Sequence, residues 1–120
     1  MNLEEYKNTL NKAPSSKLKN NPTSYQGRVY ASKKEADYAQ KLDWRKKYGD
    51  VQEWEPQVKY RLEVNGVHIC DYVLDFKVTL KTGDVQYIDV KGQRSGVPYQ
   101  LFKAKKKLMM ACHGIQVQEV

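Results

Sequence analysis

The stretch QVKYRLEVNGVHICDYVLDFKVTLKTGDVQYIDVK, residues 57–91, decides the fold. From Gln57 to Val64 the residues alternate, with Val58, Tyr60, Leu62 and Val64 on one face and Gln57, Lys59, Arg61 and Glu63 on the other, the period of a half-buried strand. Asn65-Gly66 follows, the dipeptide of a type I′ hairpin turn. The return strand runs from Val67 to about Leu80. Lys81-Thr82-Gly83 then has the form of a three-residue hairpin loop with glycine in the left-handed position, and a third strand covers Val85 to Lys91. With that loop, Leu80 pairs with Asp84, and partners on the two strands carry numbers that sum to 164. Asp75 therefore faces Asp89, and Val73 faces Lys91.

Working outward, Ser32-Lys33-Lys34-Glu35 matches a capping box, with Ser32 at the N-cap and Glu35 at N3. Ala36, Ala39 and Leu42 recur at helical spacing and Gly49 stands at the C-cap, so a helix spans roughly Lys33 to Tyr48, with Glu35 on the edge of its buried stripe. After the third strand, Gly92 to Val97 reads as a loop. A second helix spans about Tyr99 to His113, with Leu101, Leu108 and Ala111 facing inward, and Ile115 to Val120 forms a last strand. The second helix is long enough for a crossover, which sets the last strand parallel to the third or near it. The expected fold is a mixed α/β sheet (α+β) in the order αβββαβ. A three-strand antiparallel meander is followed by a crossover helix and a parallel strand.

Residues 1–27, with Asn-Lys-Ala-Pro-Ser-Ser and Asn-Asn-Pro-Thr-Ser and few apolar positions, read as a flexible basic arm with one short helix near Leu3 to Leu10. Residues 28–120 form a single domain, as 120 residues allow. No run of about 18 apolar residues suggests a membrane span, and MNLEEYKNTLNK lacks the apolar core of a secretory signal. Cys70 and Cys112 have no metal-ligand spacing and read as free thiols of a reducing cytoplasm.

Charge is unevenly placed. The formal net charge is +7, from 21 Lys+Arg and 14 Asp+Glu. Tyr6 to Lys34 holds seven basic residues and no acid, and Val90 to Gln118 six and no acid. Two basic flanks around an acidic middle imply a polyanionic partner. Arg28, Lys33, Lys34, Arg94, Lys103 and Lys106 are the candidates to grip phosphates, with Arg94 and its loop best placed beside Lys91. Two facing carboxylates repel each other unless a cation lies between them. Asp89 and Lys91, two apart, share a face, so two acids able to hold a hard divalent cation meet an ammonium able to poise a water or stabilise an oxyanion, with Glu35 approaching from the helix.

Each residue also has a structural use. The capping box explains Glu35, an edge lysine explains Lys91, and the facing acids could be unpaired edge carboxylates. Asp71 lies four residues back, about 13 Å along the strand, outside the metal site. His68 reads as a surface residue, and Tyr87, Trp44 and Trp54 as packing residues.

Asp75, thirteen residues, then Asp89-Val90-Lys91 resembles the signature of the PD-(D/E)XK nuclease superfamily, and the element order with a helix glutamate resembles that superfamily's restriction-endonuclease-like core. Gly27 to Glu35, Asp75-Phe76 and Tyr87 to Gly92 look like the small bacteriophage endonucleases related to Holliday-junction resolvases, over roughly residues 25–120. The resemblance implies a Mg²⁺- or Mn²⁺-dependent endodeoxyribonuclease acting on branched DNA in phage recombination, replication or packaging, in the host cytoplasm. Asp75 and Asp89 would be metal ligands with the Val90 backbone carbonyl, Lys91 the catalytic lysine, and Glu35 a further ligand or the holder of a metal-bound water. Leu74 stands where proline is usual, and Asp89 where glutamate is commoner. Two coordinated cuts from a chain with one site would require a homodimer. The alternatives are a structure-insensitive nickase or restriction-like endonuclease, and a non-catalytic DNA-binding module.

Overall fold

The computed structural model describes residues 21–92 and 94–120. Residues 1–20 of the expected arm, with the short helix expected there, lie outside the described residues. Order is already present inside the remainder of that arm. Strand β1 (Thr23–Tyr25) pairs antiparallel with β2 (Arg28–Tyr30) around Gln26-Gly27, both at positive φ. The hairpin docks on helix α1 (Lys33–Tyr48) through Asp43, which accepts hydrogen bonds from Tyr25 Oη at 2.5 Å and from Trp54 Nε1 at 3.0 Å.

Helix α1 starts with half of the expected capping box: the Ser32 hydroxyl accepts from Glu35 N–H at 3.2 Å, while the Glu35 carboxylate takes its backbone bond from Ala31. Its apolar stripe of Ala36, Ala39 and Leu42 is buried. Trp44 departs from the packing role expected of it: at 64% exposure it lies on the opposite side of the helix. Trp54 does pack, edge-on to Phe76 with ring centroids 5.7 Å apart.

Strands β3 (Val51–Val64) and β4 (Val67–Leu80) form a long hairpin closed by Asn65-Gly66, with φ of +52° and +79° as a type I′ turn demands. β3 begins six residues earlier than its alternation suggested, running through Pro56. Proline is tolerated there because β3 is the edge strand of the order β3-β4-β5-β6. Strand β5 (Val85–Asp89) pairs with β4 in the expected register, Phe76↔Ile88 to Thr79↔Val85, all summing to 164. Helix α2 (Gly96–His113) leads to β6 (Val117–Glu119), which lies parallel to β5. The described residues thus form a mixed α+β structure with a mixed-direction sheet and two helices.

Two features differ from expectation in α2. It begins three residues earlier, so Val97 is helical, and its inward residues are Phe102 and Met109, whereas Leu101 is exposed and so is Ala111. On β5, Ile88 packs in the cluster under α1 and Tyr87 in the cluster under α2. Successive strand residues point to opposite faces, so the two helices flank β5 from opposite sides. In the β3–β4 hairpin, Leu74 joins the α2 cluster and Phe76 the α1 cluster. Between them Asp75 stands opposite Gln57, whose φ of +54° interrupts the ladder.

Candidate active site

The last turn of backbone pairing builds the site. Beyond β5, Val120 N–H donates to Asp89 C=O and Lys91 N–H to Val120 C=O, each at 3.0 Å, so the chain end straps Asp89-Val90-Lys91 in extended form. That leaves Val90 N–H facing β4, where it donates to Asp75 Oδ2 at 2.8 Å. The β4–β5 ladder itself ends at Phe76↔Ile88, one pair short of the expected Asp75–Asp89 and three short of Val73–Lys91, and beyond it this side-chain bond holds Asp75 against the residue that follows Asp89. Glu35 comes from the first turn of α1, held by its cap. Glu35, Asp75, Asp89, Val90 and Lys91 all line one cleft of about 940 Å³. The four sequence-derived residues therefore share the wall of one cleft.

Burial makes the cleft electrostatically tense. Asp89 is only 4% exposed. Asp75 has its pKa pushed up to about 8, first by burial and then by the charges of Asp89 and Glu35, against the opposing Val90 bond. Glu35 is raised as well, by burial and by Asp89, while a backbone bond from Ala31 and the charge of Lys91 pull the other way. Among the described residues, three buried side-chain polar atoms lack a well-formed hydrogen bond: Glu35 Oε2, Tyr72 Oη and Asp89 Oδ2, although Asp89 is close enough to the Tyr72 hydroxyl to raise its pKa further above the level that burial sets. All three belong to this cleft. Lys91 Nζ lies 2.5 Å from Asp89 Oδ2 as an ion pair, without the angles of a hydrogen bond, so that oxygen has charge compensation but no donor. Buried acceptors are normally satisfied, and their concentration here marks a site built for something other than stability.

The donor set suits a hard cation, two carboxylates and a backbone carbonyl on adjoining strands. As the side chains stand, no three His, Cys, Asp or Glu residues among those described gather tightly enough to hold an ion alone. Lys91 instead occupies the flank of Asp89, and its ammonium sits 3.6 Å above the centre of the Phe102 ring, a cation–π seat.

Of the residues expected to grip phosphates, Lys33 and Lys34 line the cleft, and Lys34 Nζ donates to the Lys91 carbonyl at 2.5 Å. Arg94 and Lys106 are turned to Glu119, at 3.6 and 3.1 Å, and Lys103 lies over Tyr99, 5.6 Å from its centroid. Arg28 is exposed on β2, away from the cleft lining. Asp71, expected outside the site, does reach the cleft wall, but Lys59 (3.4 Å) and His68 (2.9 Å) hold its carboxylate. Sequence reasoning missed Tyr72, Phe102 and Lys105. Tyr72 shares the parity of the buried Leu74 and could have been found by extending the strand pattern. Phe102 and Lys105 depend on which face of α2 meets the sheet, and no local signal carries that. Lys105 Nζ donates to the Asp71 carbonyl at 3.2 Å from the cleft wall. Cys70 and Cys112 are free thiols, both half-buried. No helix among the described residues is long and apolar enough to cross a membrane.

A family model described as "Protein of unknown function (DUF1064)" matches residues 15–118. No curated protein and no solved structure matches the chain.

Proposed function

We propose that the chain, which belongs to the DUF1064 family, is a divalent-metal-dependent endodeoxyribonuclease with a restriction-endonuclease-like core, acting on branched DNA in the cytoplasm. The observation that carries this reading is the cleft itself. Three carboxylates from three different elements line it together with one lysine, with Glu35 Oε2 buried and without a hydrogen bond and Asp89 Oδ2 buried and met by the Lys91 ammonium. Acids that raise one another's pKa at a buried point cost stability, and retaining them is understandable where a cation is to be bound.

Asp75, Asp89 and the Val90 carbonyl would hold Mg²⁺ or Mn²⁺, with Glu35 as a further ligand or the holder of a coordinated water. Bound there, the ion supplies Lewis-acid polarisation of a phosphate and a more acidic water. The chain's own residues do the rest. Lys91, seated on Phe102 and beside Asp89, presents an ammonium where a nucleophilic water or a developing oxyanion needs one. Lys33, Lys34 and Lys105 line the approach to the acids and neutralise the arriving phosphates. Arg94 and Lys106, held by Glu119 at the far end of β6, are a reserve of positive charge next to Lys91. A homodimer would supply the two cuts that a four-way junction needs.

A second reading, a non-catalytic DNA-binding module, draws on the Lys91–Asp89 ion pair, which already compensates one acid. The two are separated by incubating plasmid and four-way-junction DNA with Mg²⁺ or EDTA. Wild type should cut only with Mg²⁺, and Asp89→Asn and Lys91→Ala should each lose at least about a hundredfold in rate. Retardation of DNA without cleavage supports the binding module. Metal-dependent cutting that survives both substitutions refutes the site.

A further inference from the structure

Helix α1 hides Ala36, Ala39 and Leu42, yet leaves two large aromatic rings in solvent, Trp44 at 64% and Tyr48 at 68% exposure. Their centroids are 5.2 Å apart and the planes are tilted by 50°. At about 100° per residue, Lys34, Lys41, Trp44 and Tyr48 fall within an arc of about 80° on the side opposite the buried stripe. The arc is a continuous stripe about 21 Å long. Its first member, Lys34, is the lysine that reaches into the cleft to the Lys91 carbonyl. Its charge is mainly positive. Lys47 Nζ lies 5.3 Å from the Tyr48 centroid and Lys41 Nζ 6.0 Å from that of Tyr38. Asp37 is the one acid of the arc, three residues from Lys34 and four from Lys41, and Arg45 at the edge is paired with Asp50.

Aromatic rings interleaved with lysines form the platform on which unpaired bases stack while the backbone is neutralised, and every base has a face to offer. A second copy of the chain fits less well. Two rings, each about two-thirds exposed, offer at most ~330 Å², whereas a stable partner buries ~800 Å² on each side. We infer that the outer face of α1 is a docking track for a single-stranded DNA segment, with Trp44 and Tyr48 stacking bases and Lys41, Lys47 and Lys34 carrying the phosphates toward the cleft. The track rests on the nuclease reading for what lies at its end, and among branched DNAs it favours those that expose unpaired nucleotides beside the cut over a fully paired four-way junction.

The chain has two tryptophans, and the other, Trp54, is half-buried and bonded to Asp43. A Trp54→Phe variant therefore leaves Trp44 as sole reporter. Titrated in EDTA with an oligothymidylate, its emission should be quenched saturably, and the quench should weaken with salt. Trp44→Ala should bind the same oligonucleotide roughly tenfold or more weakly, with duplex binding unchanged, and Trp44→Phe should restore most of the loss. If Trp54→Phe does not fold, the quench present in wild type and lost in Trp44→Ala reads the same quantity. An unmoved emission, equal affinity in Trp44→Ala, a change driven by protein concentration alone, or an equal quench by an acidic polypeptide each overturns the track. Because binding is read without metal or cleavage, these outcomes are independent of whether Asp89→Asn and Lys91→Ala abolish cutting.

Discussion

Asp75 accepts a hydrogen bond from Val90 N–H and shares a buried cleft with Asp89 and Glu35, and together these surroundings push its carboxyl up to about 8 from a reference of 3.8. Between those values the folded chain holds a proton that the unfolded chain has released, so this group's stability contribution is full at low pH and is lost as pH rises toward 8. In EDTA the melting temperature should therefore fall from about pH 5 to about pH 8, and Asp75→Asn should flatten that slope; a wild-type profile as flat as the variant's would contradict it. Phe102 belongs at the same scale. Replacing it with Leu keeps most of the buried volume but removes the ring under Lys91, so cleavage should drop by up to about tenfold while stability changes by less than about 1.5 kcal/mol. A larger loss of stability than of rate, measured by thermal melts beside initial rates, would reduce Phe102 to a packing residue.

At the scale of elements, the β3–β4 hairpin stores strain at the point where it meets the site. Gln57, a non-glycine residue at φ +54°, stands opposite Asp75. Glycine adopts that conformation without penalty, so Gln57→Gly should raise stability by about 0.5–1 kcal/mol in denaturant melts, whereas Glu55→Gly two residues away should lower it by a similar amount. Destabilisation by both would show that the kink carries no strain. The hairpin, the Ser32 cap and the β5 register were legible because each is written locally, in alternation, in Asn65-Gly66 and in a serine at the helix start. The inward face of α2 was not. Lys105 and Lys106 lie beside Phe102 and Met109 on the half-buried side, and their apolar stems lie along the protein while the ammonium groups reach the Asp71 carbonyl and Glu119. Polarity therefore does not mark that face. The strand β1 was missed for a related reason: its stability comes from Tyr25 docking on Asp43, a contact across eighteen residues of chain.

For the whole molecule, a net charge of +7 is divided between groups free to meet phosphate and groups already engaged. If about six contacts form, affinity for duplex DNA in EDTA should fall with a log–log salt slope near −5. Arg94 and Lys106 are held by Glu119, and Glu119→Gln should release both and steepen that slope by about one to two units, with an unchanged slope showing that they never reach DNA. The amino-acid sequence by itself determined the β4–β5 register from Phe76↔Ile88 to Thr79↔Val85, which brings Asp75 and Asp89 to the same end of the sheet, because turn chemistry and a period of two act between near neighbours. Only the tertiary structure decided that Phe102 seats the lysine, that Glu119 restrains two cations and that Trp44 faces solvent. Those outcomes depend on which side of each helix meets the sheet, and that is settled by the burial of the whole core and not by any short stretch of chain.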